Sequence, residues 1–152
     1  MDNITHSFAG LLIGKSLVEL MCRKHANKRF AQDIVLCSVI ANNLPDLDFA
    51  YTWITEKPLG NLLHHRGHTH TVLGGLVLAT LGAFIAKRFL KHSSENIWML
   101  VLTFILGVLT HILLDFGNSY GVHPFWPINN NWYFGDSIFI IEPWFWVLGA
   151  SY

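Results

Sequence analysis

The sequence predicts an all-α integral membrane protein, a bundle of about four to five helices in which residues 1–152 form a single domain. Hydrophobic residues make up 52% of the chain and charged residues only 13%, well below the roughly 25% that is typical of soluble domains. Because a charge at the centre of a bilayer costs several kcal/mol, this composition is typical of helices in lipid. Ten basic residues balance ten acidic ones, so the charge indicates no nucleic-acid partner.

Five apolar segments predict the helices, and they lie at 5–21, 30–44, 71–90, 97–116 and 137–150. A helix needs roughly 20 apolar residues to cross the hydrocarbon core, and the third and fourth segments have about that length. The first two are shorter and contain Lys15, Glu19 and Asp33, so they either span at a thin point, re-enter or pack in the interface. The fifth is too short to span; we expect further sequence after Tyr152, with a shallow terminal helix as the alternative.

The basic residues indicate how the segments are oriented. They cluster at 23–29 and at 87–91, which are the connections after the first and third segments. If every segment crosses, both connections lie on one side of the membrane, and the positive-inside rule makes that side the cytoplasm. Simple alternation then brings the N-terminus and the stretches 42–70 and 111–136 to the non-cytoplasmic face. Every polar candidate residue discussed below lies in one of those parts of the chain.

The first polar motif is the pair His111 and Asp115 at the end of the fourth segment. Residues four apart project from the same face of a helix. Ionisable groups in such an apolar helix are costly and need a partner, and a metal ion is a suitable one. An imidazole and a carboxylate together suit zinc, manganese or iron. The alternative interpretation is a direct hydrogen bond between His111 and Asp115 that fixes helix packing.

The second motif follows the second segment. Pro45 disfavours helical conformation at the residue before it, so the helix should end there and Asp46 and Asp48 should lie on a turn. Two carboxylates on one turn can converge on a single cation. The alternative is that one of them caps the helix that follows.

The third motif is a histidine-rich tract at 64–70, with four histidines in seven residues. Such short tracts are typical of metal binding, although an exposed polar loop is the alternative. Arg66 adds a planar cation suited to a phosphate or a carboxylate. His6 and Asp136 are isolated, and each alone favours a capping or surface role; their predicted position on the shared face makes both of them candidate ligands.

Three histidines and up to four aspartates are enough ligands for one or two metal ions. A hydrolytic site is the natural use of such a set, and two-metal sites commonly hydrolyse phosphoesters. Arg66 would then stabilise charge on a phosphoryl group. A site at the outer edge of the membrane reaches lipid headgroups, so the predicted partners are membrane lipids and a lipid or membrane-associated phosphoester substrate.

The motifs also resemble a known family when they are taken in order. They are Met1-Asp2 with Thr5-His6, Leu44-Pro45-Asp46-Leu47-Asp48, His65-Arg66-Gly67-His68-Thr69-His70, His111-Ile-Leu-Leu-Asp115, Ser119-Tyr120-Gly121 and Pro124-Phe125-Trp126-Pro127. Over nearly the whole chain the sequence resembles the bacterial inner-membrane metal-dependent hydrolases, some of which are described as LexA-regulated. It is more distantly similar to zinc-dependent phospholipase C. The sequence departs from the family pattern at Thr71, where serine is usual, and at Glu142, where aspartate is usual.

The resemblance implies a bacterial inner-membrane protein with a metal at His6, Asp46, His70, His111 and Asp115. With the two further carboxylates, the candidate metal ligands are His6, Asp46, Asp48, His70, His111, Asp115 and Asp136. The candidate catalytic residues are His65, Arg66 and Asp48. Zinc is the expected ion, with Mn²⁺ or Fe²⁺ as alternatives.

Two other classes of function remain open from the sequence. A metal transporter or metal sensor would use the same ligands without hydrolysis. A transporter usually places polar groups near the middle of the bilayer, whereas these cluster at helix ends. The third class is a structural or regulatory membrane protein with a vestigial site.

Overall fold

The structure is a computed structural model that describes residues 1–21, 27–48, 67–90 and 96–151. Within these ranges it has five α-helices: α1 (Asn3–Met21), α2 (Lys28–Asn43), α3 (Val72–Phe89), α4 (Ile97–Phe116) and α5 (Pro143–Ala150). Two short 3₁₀ helices, Pro45–Leu47 and His68–His70, follow α2 and precede α3. The same ranges contain no strand, and their isolated β-bridge joins Val122 to Tyr133. The predicted all-α fold is confirmed.

Side-chain caps and a proline explain several helix boundaries. The side chain of Asn27 accepts a hydrogen bond from a backbone N–H at the start of α2, and Asn96 does the same for α4. Thr71 caps α3 by accepting from the N–H of Gly74 at 2.9 Å. Such caps satisfy N–H groups that have no partner within the helix. At the other end of α2, Pro45 ends the α-helix and begins the 3₁₀ turn, as the sequence predicts.

The core of the bundle is built around α4, which packs against α1, α2 and α3. Leu100, Phe104 and Val108 on α4 are almost completely buried. Small residues on the neighbours allow this close packing; Ala41 on α2 and Ala79 on α3 have no exposed surface. Close approach through small side chains is typical of helices in membranes.

Among the described helices, α3 and α4 are long and apolar enough to cross a membrane. The outer face of α3 exposes large apolar side chains, including Val77, Phe84 and Ile85, each more than half exposed. An apolar surface of that kind suits contact with lipid. The expectation that α1 and α2 also cross stays a prediction.

The fifth apolar segment is helical over a shorter stretch than its composition predicts. The helix begins only at Pro143, because the residues before it hydrogen-bond to other parts of the chain. Ser137 donates to the carbonyl of Gly117 at 2.9 Å, and Ile140 accepts from the N–H of Asp2 at 3.1 Å. These bonds hold residues 137–142 across the ends of α1 and α4.

The structure brings the start of α1, the end of α2, the start of α3 and the end of α4 to one end of the bundle. Asn3 on α1 donates to the carboxylate of Asp46 after α2 at 3.1 Å. At the start of α3, the N–H of Val72 donates to the carbonyl of Pro124, in the loop after α4, at 2.9 Å. Both 3₁₀ helices lie at this end, and so do the polar motifs that flank them.

Candidate metal centre

Four side chains from different parts of the chain converge at this end of the bundle: Asp46, His70, His111 and Asp115. Each offers one ligand atom, and these atoms all lie within 4.8 Å of one another. His70, His111 and Asp115 are at most 1% exposed, whereas the side chain of Asp46 is 14% exposed. We refer to these four residues as the metal group.

The spacing of the metal group fits a single divalent ion. Zinc binds histidine nitrogen and carboxylate oxygen at about 2.0–2.2 Å, so two ligands on opposite sides of one ion lie about 4 Å apart. A spread of 4.8 Å requires only small side-chain shifts to reach that distance. Two imidazoles with two carboxylates also suit manganese and iron, so the ligand set does not select zinc alone.

The hydrogen bonds of His111 determine which of its nitrogens faces the group. Its Nδ1 lies 2.7 Å from the carbonyl oxygen of Asn42 on α2. A carbonyl only accepts, so Nδ1 carries the proton and donates it. In a neutral imidazole, Nε2 then presents a lone pair to the metal group, as a metal ligand must.

His70 is oriented in the same way by Thr69 and Asp48. The hydroxyl of Thr69 donates to Oδ2 of Asp48 at 2.9 Å, which uses its only proton. The 3.0 Å contact between that hydroxyl and Nδ1 of His70 therefore has Nδ1 as the donor. Nε2 of neutral His70 is left with a lone pair. Asp48 thus lies on the side of the His70 ring that faces away from the metal group. Its Oδ2 is 3.6 Å from Nδ1 of His70.

The two lone-pair nitrogens face each other. Nε2 of His70 and Nε2 of His111 are 3.0 Å apart. With both protons on the Nδ1 atoms, neither nitrogen can donate to the other, and two buried lone pairs at this distance repel. A cation between them and the carboxylates removes this conflict. The hydrogen bonds around the two rings therefore favour a metal ion over a pair of hydrogen-bonded histidines.

The carboxylates complete the same arrangement. Oδ1 of Asp46 is 3.5 Å from Nε2 of His70 and 3.5 Å from Nε2 of His111. Oδ2 of Asp115 lies 3.8 Å from Nε2 of His111, beyond hydrogen-bond distance. The alternative of a direct hydrogen bond between His111 and Asp115 is therefore absent from the structure.

His6 lies against the metal group from the first turns of α1. Its ring stacks on that of His111 with the centroids 3.8 Å apart, and its Nε2 is 3.5 Å from Oδ1 of Asp115. Both ring nitrogens of His6 are buried and have no hydrogen-bond partner among the described residues. Leaving buried polar atoms unpaired is costly. In a neutral His6, one ring nitrogen has a lone pair that could bind a metal ion and so remove part of this cost.

The backbone near His6 is held by interactions that the sequence did not reveal. The amino group of Met1 contacts Oδ1 of Asp115. Asp2 accepts hydrogen bonds from the N–H of Thr5 at 2.9 Å, from the Thr5 hydroxyl at 2.7 Å and from the indole N–H of Trp146 at 3.2 Å. The helix α5 therefore fixes the start of α1, and with it the position of His6.

The remaining candidate residues are placed differently. Asp136 is solvent-exposed with a positive φ of 45°, and the structure does not bring it into the metal group. His65 and Arg66 lie outside the described residues. His123, by contrast, is only 7% exposed and precedes Pro124, whose carbonyl accepts from Val72, two residues after His70; it belongs to no predicted motif. Its position depends on the fold of the loop after α4, which spacing along the chain does not indicate.

Comparison with known proteins places the chain among inner-membrane proteins. A family model described as YdjM inner membrane protein matches residues 1–151. The chain is 27% identical over 133 residues to inner membrane protein YbcI of Escherichia coli K12, covering 86% of this chain and 70% of YbcI. It is 24% identical over 137 residues to the uncharacterized protein YfhP of Bacillus subtilis, covering 87% of this chain and 39% of YfhP. No solved structure matches the chain.

Proposed function

We propose that this chain, which belongs to the YdjM inner membrane protein family, is a membrane-bound metal-dependent hydrolase. The observation that carries the proposal is the convergence of Asp46, His70, His111 and Asp115, in which Nε2 of His70 and Nε2 of His111 are 3.0 Å apart. A metal that binds there, between the carboxylates of Asp46 and Asp115, is the simplest occupant of the site. Zinc is the expected ion, and Mn²⁺ or Fe²⁺ are the alternatives.

A bound divalent metal lowers the pKa of water and polarises the bond to be cleaved, which is the chemistry that hydrolysis requires. The chain supplies the surroundings. Asp46, His70, His111 and Asp115 hold the ion, with His6 as a further proposed ligand. Asp48, proposed from the sequence as a ligand and catalytic residue, instead orients His70 through Thr69 in this arrangement.

The proposed substrate is a phosphoester of a lipid or of another membrane-associated molecule. The metal group lies at the ends of α3 and α4, the two helices suited to crossing the membrane. The loop that follows α4 exposes Phe125, Ile128 and Trp132, which suit the membrane–water interface. Arg66 and His65, which precede His70 in the chain, are proposed to contact the phosphoryl group. The site is proposed to face the non-cytoplasmic side.

The test combines metal analysis with hydrolysis assays on the purified protein. We expect about one equivalent of metal, and hydrolysis of lipid-phosphate or phospholipid analogues that a chelator abolishes and added metal restores. Asp46→Asn should lose both metal and activity. Asp136→Asn is the matched control, since it removes the same charge at an exposed position; loss of metal in that variant would assign Asp136 as a ligand. A protein that holds metal but cleaves nothing in a broad panel of esters and phosphoesters contradicts the proposal.

The burial of the site favours a second candidate. His6, His70, His111 and Asp115 are at most 1% exposed, which suits a metal sensor or transporter that encloses its ion. That candidate predicts bound metal without turnover. It also predicts that cellular metal content or a metal response changes when His111 is replaced by alanine, which a hydrolase does not require.

A further inference from the structure

A second pair of histidines, His68 and His123, lies beside the metal group but is not part of it. His68 belongs to the 3₁₀ helix that ends at His70, and its side chain is exposed. His123 belongs to the loop after α4 and is only 7% exposed. Its Nδ1 is buried without a hydrogen-bond partner among the described residues. A nearly buried imidazole with an unused nitrogen is costly unless a ligand or water pairs with it.

The loop that carries His123 is held firmly in place. Val122 and Tyr133 exchange backbone hydrogen bonds of 2.9 and 2.8 Å. The carbonyl of Pro124 accepts from the N–H of Val72 at 2.9 Å, which ties the loop to the first residue of α3, two residues after His70. Gly121 turns the chain into the loop with a φ of +70°, where a side chain is unfavourable. His123 is therefore positioned by the backbone next to the metal group.

Two tryptophan rings flank the histidine pair. The ring of His68 lies 4.2 Å from the ring of Trp126, and the ring of His123 lies 4.8 Å from the ring of Trp132. Trp132 is half exposed, so this part of the surface combines imidazole nitrogens with apolar ring faces. It has the character of a binding surface for a molecule with both a polar and an apolar part.

His123 lies close in the fold to His70, because it precedes Pro124, whose carbonyl accepts from the N–H of Val72. Burial lowers the pKa of His123, and the imidazoles of His68 and His70 lower it further. Whether neutral or protonated, the imidazole of His123 has at least one N–H to donate. Two imidazoles that lack carboxylate partners among the described residues provide too few ligands for a second metal ion, whereas they suit hydrogen bonding to an anion.

We propose that His68 and His123 form an anion subsite that binds the non-reacting oxygens of a phosphoryl group, while Trp126 and Trp132 contact the apolar part of the same ligand. This inference rests on the proposed function, because the metal group beside the subsite would hold the reacting end of the phosphoester. The ligand chemistry is a phosphate monoester or diester, either as a lipid headgroup or as a free phosphate.

The experiment measures phosphate binding separately from hydrolysis. Inorganic phosphate and dihexanoyl phosphatidic acid are titrated by calorimetry into the metal-loaded protein in detergent. His68→Phe and His123→Phe keep a ring against the adjacent tryptophan and remove the N–H groups. Trp98→Phe, at an exposed position at the far end of α4, is the control. Each variant is compared at equal metal content, since phosphate could also contact the ion.

We expect each histidine variant to weaken phosphate binding about tenfold, in line with the loss of one hydrogen bond to a charged group, while metal content stays unchanged. His68→Phe changes an exposed side chain and so tests the subsite even if His123→Phe fails to fold. The inference is overturned if both histidine variants bind phosphate with the affinity of the wild-type protein. It is also overturned if the wild-type protein does not bind phosphate. Histidine-dependent phosphate binding without any hydrolysis supports the subsite and rejects the hydrolase.

The two ligands distinguish the source of the phosphate. Tighter binding of the lipid than of inorganic phosphate, with that advantage lost in Trp132→Ala, identifies a lipid headgroup. Equal binding of both ligands, with no effect of Trp132→Ala, identifies a free phosphate and removes the proposed role of the tryptophans.

Discussion

At the scale of single residues, the metal group depends on hydrogen bonds made behind its ligands. His70 and His111 present the correct nitrogen only because Thr69 and the carbonyl of Asn42 hold the proton on the opposite one. Partners of this kind orient metal-binding imidazoles and raise their basicity. The role of Thr69 is the more open to test, since its side chain can be replaced without changing the backbone.

Thr69→Val should weaken metal affinity by roughly 10- to 100-fold with little effect on the fold, because it removes the hydroxyl that accepts from His70 and donates to Asp48. Thr80→Val is the matched control; its hydroxyl donates to a helix carbonyl on the exposed part of α3, away from the site. Competition with a chromogenic chelator measures the affinity, and circular dichroism monitors the fold. Equal affinity in the two variants would show that the hydroxyl does not orient His70.

At the scale of helices, the contact between α2 and α4 positions half of the metal group. Gly107 lies one turn before His111, where α4 packs directly against Ala41 and Asn42 of α2. A Cβ atom at Gly107 would lie 2.6 Å from Cβ of Ala41 and 3.2 Å from the backbone nitrogen of Asn42. The absence of a side chain at Gly107 therefore allows the 2.7 Å hydrogen bond between His111 and Asn42.

Gly107→Ala should push the two helices apart and lower both the free energy of unfolding, by about 1–3 kcal/mol, and the metal affinity. Gly135→Ala is the control for a milder contact, because its added Cβ would lie 3.3 Å from its nearest neighbours rather than the 2.6 Å found at Gly107. Thermal unfolding in detergent, with and without metal, measures both effects. A Gly107→Ala variant as stable and as well loaded as Gly135→Ala would contradict the proposed role of the close approach.

At the scale of the whole molecule, the fold and the charges together predict the position of the site relative to the membrane. The metal group lies at one end of α3 and α4, and the basic residues Lys87 and Arg88 lie at the other end of α3. Positive residues are typical of the cytoplasmic side, so the site is predicted to face away from the cytoplasm.

Cysteine labelling in spheroplasts tests that orientation, in a background where Cys22 and Cys37 are replaced by alanine. Asn130→Cys, in the exposed loop after α4, should react with a membrane-impermeant maleimide in intact spheroplasts. Lys87→Cys should react only after lysis, because it lies at the opposite end of α3. The reverse pattern would place the site on the cytoplasmic face.

The sequence by itself predicted the all-α fold, and it placed Asp46, His70, His111 and Asp115 among seven candidate metal ligands. Apolar length identified α3 and α4. The four-residue spacing of His111 and Asp115 and the proline after α2 are local features, and local features are encoded by neighbouring residues. The apolar composition of the fifth segment predicted a helix that begins too early. Residues 137–142 are not helical, because Ser137 and Ile140 hydrogen-bond to the backbone of Gly117 and Asp2, which are distant in the chain.

Only the tertiary structure decided how the site is arranged. The proton positions on His70 and His111, the place of Asp48 behind His70, and the packing of His123 beside the site all depend on contacts between residues far apart in the chain. Composition and spacing carry no information about such distances. The residue types that can bind a metal can therefore be identified from the sequence. The geometry that favours a metal ion over a hydrogen-bonded pair of histidines depends on how the helices pack.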